Sequence, residues 1–148
     1  MNRFKRHPKN LTLVHEANYT KTMRVIPFVR SMHCDASIWA RTPAHVVEIK
    51  ILEVTKYTTM FSFNINYAGE QKWLPQVHIA VRCYHDLRVA EVANFQHHKQ
   101  FQSRYSYPNP NMYHRNEKQQ INRFLGEWLD FCLKTRCRFQ PNEMPINV

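Results

Sequence analysis

The chain has 148 residues, a formal net charge of +10, and 43% apolar and 22% charged side chains, proportions that suit one folded domain rather than a disordered chain. Its apolar runs are too short to cross a bilayer, and the charged start "MNRFKRHPKN" lacks the apolar stretch of a secretory signal, so the expected address is the cytoplasm, with no membrane partner. With glycine only at Gly69 and Gly126, neither a P-loop nor a GxGxxG turn can be built, and GxSxG and HExxH motifs are missing as well.

In chain order, residues 1–9 read as a basic flexible tail carrying Arg3, Lys5, Arg6 and Lys9. Residues 10–140 form the domain, and residues 141–148 a Pro-containing end. Asn10 to Ile26 reads as a helix: Asn10 is its N-cap, Leu11, Val14, Asn18, Tyr19, Met23 and Ile26 share a stripe, and Pro27 stops it. Phe28 to Pro43 has no clean period, with a short helical turn expected around Ser37 to Ala40. From Ala44 the period becomes two. Val47, Ile49 and Ile51 oppose Glu48 and Lys50, then Phe61, Phe63, Ile65 and Tyr67 alternate with Ser62, Asn64 and Asn66, so "EVTKYTT" bends a hairpin in which Glu53 and Lys56 can pair.

"QVHIAVRCY" and "RVAEVAN" form a second strand pair joined near His85 and Asp86, with Val77, Ile79, Val81 and Cys83 facing inward. A fifth strand is expected around Lys99 to Tyr105. The final helix repeats Ile121, Phe124, Leu125, Trp128, Leu129, Cys132 and Leu133 at three and four residue steps, with Asn116 as N-cap and Gln119 completing a capping box. Trp128, at the centre of that stripe, is expected to be largely buried against the sheet. The fold class is therefore α+β: a single domain with a mainly antiparallel sheet of four to five strands covered by N-terminal and C-terminal helices.

"EVTKYTT", "LPQVHIAVRCYHD" with "VAEV", "RYSYPN" and "EKQQINRFLGEWLDFCL" together resemble the YqiB-like bacterial family, a domain of unknown function. The resemblance runs roughly from Leu13 to Leu133. It implies no established activity, ligand or cofactor, so no catalytic residue is carried over from it.

The residues offer three functional readings. A non-catalytic cytoplasmic binding or adaptor domain with a protein partner follows from the missing catalytic signatures and from the aromatic-basic loop in "SRYSYPNPNMYHRNEKQQ". RNA or single-stranded DNA binding would use Lys99, Arg104, Tyr105, Tyr107 and Arg115, because between Glu91 and Glu117 no acidic residue interrupts a run of cations and rings suited to stacking bases and meeting phosphates; the competing account has the tyrosines close a sheet edge while Pro108 and Pro110 stiffen a turn. A small hydrolase or metal enzyme would centre on His85, Asp86 and His114, a base beside a carboxylate or a set of ligands, although neighbouring strand residues point to opposite faces and Asp86 suits a hairpin turn. No cofactor is expected. Cys34, Cys83, Cys132 and Cys137 form no CxxC and read as reduced thiols, Cys132 and Cys137 lying about 140° apart on a continuous helix.

Overall fold

The computed structural model describes residues 11–67, 77–97, 115–137 and 139–141. Helix α1 spans Leu11–Val25 and is followed by a 3-10 turn, Val29–Ser31; strands β1 Ser37–Arg41, β2 His45–Val54, β3 Thr58–Tyr67, β4 Val77–Tyr84 and β5 Val89–His97 precede helix α2, Arg115–Lys134, and the two-residue strand β6, Gln140–Pro141. All neighbours pair antiparallel. The strand order β5-β4-β3-β2-β1-β6 is a meander, the arrangement short hairpin links between consecutive strands favour. Asn10 and the expected strand around Lys99 to Tyr105 lie outside the described residues.

The period-two pattern places Val47, Ile49, Ile51, Phe61, Phe63, Ile65, Ile79, Val81 and Cys83 on one buried face, aligned by pairings such as Ile49 with Phe63 and Phe63 with Ile79. Against this face lie Tyr19, Val25, Ile26, Ile121, Leu125, Leu129 and Cys132. Leu125 and Leu129 are its deepest helical members, while Trp128 is only partly buried, its ring meeting His45 at 5.1 Å and Phe63 at 6.4 Å. Ser37 to Ala40 is strand rather than helical turn: Ile38 and Ala40 are buried, pairing with Ile49 and Val47, and Trp39 takes the other face. Pairing with β2 decides a stretch too short to form a stable helix alone.

Helices α1 and α2 pack on each other and on β5. Their contact is polar at its centre, where Asn18 Nδ2 donates to the Asn122 carbonyl at 2.8 Å and Asn122 Oδ1 accepts the Val92 N–H at 2.9 Å. The second bond occupies a donor on β5, which is the last strand of the sheet among the described residues. Helix α2 begins at Arg115, which puts Asn116 inside the first turn rather than at the cap. At the other end Arg136 takes a left-handed φ of 56°, the Arg136 N–H donates to the Leu133 carbonyl, and the Cys137 N–H donates to the Cys132 carbonyl. This is a Schellman cap. The helix therefore does not continue to Cys137, and the two cysteines, expected on separate faces, are brought together.

Candidate docking surface

Beneath the ends of the two long hairpins sits His85, 7% exposed. Its Nδ1 is hydrogen-bonded to the Tyr19 hydroxyl and its Nε2 to Thr59 Oγ1, both at 2.9 Å, while its backbone N–H donates to the Tyr57 carbonyl at 2.8 Å. A neutral imidazole donates from one nitrogen and accepts at the other, and a hydroxyl can take either role, so the uncharged ring serves both contacts. Burial, and then the nearby Arg30, hold the ring's pKa below its ordinary value, with Asp86 opposing them. His85 thus joins α1, the β2–β3 turn and the β4–β5 turn at one point.

Two turns project above this point. In the first, the Thr55 N–H donates to the Thr58 carbonyl at 2.9 Å and the Lys56 ammonium stands 5.3 Å from the Tyr57 ring centre; in the second, Arg88 adopts a φ of 58°, donates its N–H to the Tyr84 carbonyl and lays its guanidinium 5.6 Å from the Tyr19 ring centre. Between them, large side chains face outward: Leu87 is 65% exposed, Tyr57 49% and Val54 43%. Apolar side chains at hairpin ends lower no folding free energy by remaining in water, and the backbone bond from His85 to Tyr57 holds the two turns that carry Tyr57 and Leu87 at the same end of the sheet. Lys56, Arg88 and Arg30 are exposed at this end, and Asp86 is the acid within the two turns. Glu53, expected to pair with Lys56, instead lies 3.9 Å from Arg82, because the irregularity between Ile51 and Glu53 turns it toward Met60 and its neighbour on β4.

The sheet face turned away from the helices carries a row of polar side chains. Ser37 Oγ donates to Glu48 Oε2 at 3.3 Å, Asn64 Nδ2 to Glu48 Oε1 at 3.1 Å and to Ser62 Oγ at 3.0 Å, and His78 Nδ1 to Asn64 Oδ1. Because each member meets another, the row crosses four strands with its bonding largely satisfied internally.

Of the residues singled out in the sequence, His85 and Asp86 share the β4–β5 turn, but the ring nitrogens of His85 are engaged by Tyr19 and Thr59 while Asp86 is exposed. His114, Lys99, Arg104, Tyr105 and Tyr107 lie outside the described residues. Arg115 opens α2, and its side chain is likewise not described. Among the described residues, no group of three or more His, Cys, Asp or Glu is placed to hold a metal, and no helix is long and apolar enough to cross a membrane. Leu87 was not among the sequence candidates and Tyr57 entered only as part of the "EVTKYTT" bend; the available signal was an apolar residue inside each of two turns otherwise made of polar ones.

The family described as "Protein of unknown function (DUF1249)" matches residues 21–138. Over 119 residues the chain is 35% identical to "Uncharacterized protein YqiB" of Escherichia coli (strain K12), covering 80% of this chain and 82% of the relative. The protein of that name from Escherichia coli O157:H7 matches at the same identity and coverage. No solved structure matches.

Proposed function

We propose that this chain, which belongs to the DUF1249 family of proteins of unknown function, is a non-catalytic cytoplasmic docking domain whose two hairpin turns bind an acidic protein surface. The observation that carries this is the set of outward-facing Leu87, Tyr57 and Val54 flanked by Lys56, Arg88 and Arg30. Rings and aliphatic chains supply the buried centre of an interface, and the surrounding cations favour carboxylates and speed encounter. The engagement of His85 on both nitrogens supports a scaffolding rather than a proton-transferring role for it.

A photo-crosslinking residue at Leu87, compared with one at Lys50 on the opposite sheet face, tests this in cell lysate. A defined acidic protein captured from position 87 alone, whose affinity measured with purified components falls with added salt and with Tyr57→Asp, is the expected result. Equal capture from both positions, or none, argues against it.

A second reading rests on the acid-free run between Glu91 and Glu117: single-stranded nucleic acid bound through Lys99, Arg104, Tyr105, Tyr107 and Arg115. Binding of single-stranded oligonucleotides that survives removal of residues 1–9, weakens with Tyr105→Ala and ignores Tyr57→Asp would favour it.

A further inference from the structure

We infer that Cys132 and Cys137 are a reversible modification site, closing to a disulfide when the protein meets a hydroperoxide. The cap of α2 builds the pair. With Arg136 left-handed, the Cys137 N–H reaches the Cys132 carbonyl at 2.9 Å, which brings the two Cα atoms within disulfide reach. The two thiols face each other closely enough to shift one another's acidity, and Thr135 Oγ1 lies 3.5 Å from Cys137 Sγ. In many Schellman caps the equivalent positions make an apolar contact; here both carry sulfur.

The two sulfurs differ in access and in acidity. Cys132 is buried and Cys137 half-buried, so an oxidant from solvent meets Cys137 first. Interaction with Cys132, against burial, holds the Cys137 thiol below its ordinary range, whereas the same pairing and burial push Cys132 up. That asymmetry fits an attacking and a resolving thiol. The Cys137 thiolate attacks one oxygen of the hydroperoxide, the O–O bond breaks, and the departing oxygen takes a proton to leave as an alcohol, or as water from hydrogen peroxide. Cys137 is then a sulfenic acid. The Cys132 sulfur attacks the Cys137 sulfur, hydroxide leaves and collects the Cys132 proton as water, and the S–S bond is formed. Together the two thiols give up two electrons and the hydroperoxide accepts them. The new bond ties the last turn of α2 to the segment leading to buried Phe139 and to β6, which pairs with β1.

The full chain with Cys34→Ser, which removes an exposed thiol, is reduced, treated with hydrogen peroxide and digested with trypsin without reductant. Cleavage after Lys134 and Arg136 separates the two cysteines unless a disulfide joins them. The expected result is loss of two of the three remaining thiols, a joined pair of peptides 124–134 and 137–138, and full reversal by dithiothreitol. Adding Cys132→Ser should abolish the joined peptides and leave Cys137 as a sulfenic or sulfinic acid. Thiols that stay free, Cys137 over-oxidised in the Cys34→Ser protein with no joined peptide, or joining that occurs only in denaturant would overturn the inference.

Discussion

At the scale of single residues, Gly126 shows how closely two helices can be required to approach. A Cβ built there would stand 2.7 Å from Asn18 Oδ1 and 3.4 Å from Lys21 Nζ. Lysine can move its ammonium, but Asn18 is 1% exposed and holds the Asn122 carbonyl. Gly126→Ala should therefore lower stability by about 1 to 3 kcal/mol despite alanine's better helix propensity; an unchanged urea midpoint would mean that Asn18 swings aside. His85 makes a second case. Replacing it with leucine keeps the volume and leaves the Tyr19 and Thr59 hydroxyls without their partner, each at about 1 to 3 kcal/mol. Leu87→Ser and Tyr57→Ser, by contrast, should change stability by less than about 0.5 kcal/mol, as exposed positions do. Destabilisation by either serine variant in urea titration would show that these side chains support the fold and are not held out for a partner.

At the scale of elements, the C-terminal cap of α2 stores a removable strain. Arg136 is exposed and left-handed, a conformation that costs a residue bearing a Cβ about 1 kcal/mol or more and costs glycine little. Arg136→Gly should raise stability by roughly 0.5 to 1 kcal/mol, less than the full strain because glycine also loosens the unfolded chain; a lower thermal midpoint would mean that the arginine side chain makes a compensating contact. In the packing of α2, Leu125→Ala should cost about 2 to 5 kcal/mol, and Trp128→Ala less than the 3 to 5 kcal/mol typical of a fully buried tryptophan, since its ring remains partly exposed. These same elements show what was legible. The stripe of α2 and the alternation in β2, β3 and β4 could be read because one buried face imposes a period. "SIWAR" also alternates, yet five residues between a turn and a proline are ambiguous until β2 supplies a pairing partner. The approach of Cys132 to Cys137 was hidden for a different reason: a non-glycine residue adopted the left-handed cap, so nothing in the spelling marked where the helix stops. Tyr57 and Leu87 could be seen in the sequence as turn residues, but only the His85 link between the hairpins shows that they stand at the same end of the sheet.

At the scale of the whole molecule, the histidines couple stability to acidity in one direction. Burial lowers the pKa of His15, His45, His78 and His85 below the ordinary 6.5. Their neighbours modify this unequally: Glu91 opposes the shift at His15 while Lys118 adds to it, Glu48 opposes it at His78, and at His85 Arg30 deepens it against Asp86. In the unfolded chain each ring would take up a proton as the pH falls through about 6.5, while the folded protein keeps it neutral until lower pH. Below that value the unfolded state binds more protons, and protons therefore favour unfolding. The stability these rings contribute is fully present above about pH 6.5 and is lost progressively as the pH falls toward their lowered folded values, so the thermal midpoint should drop between about pH 7.5 and about pH 5.5, before most carboxylates titrate. His85→Gln removes one of the four titrations. It should start from a lower midpoint yet decline less steeply, which separates a lost proton linkage from a merely weakened core. A midpoint that holds steady or rises as the solution is acidified across that interval, or a His85→Gln slope as steep as the parent's, would show that the imidazole between Tyr19 and Thr59 accepts its proton as readily in the folded protein as in the unfolded chain.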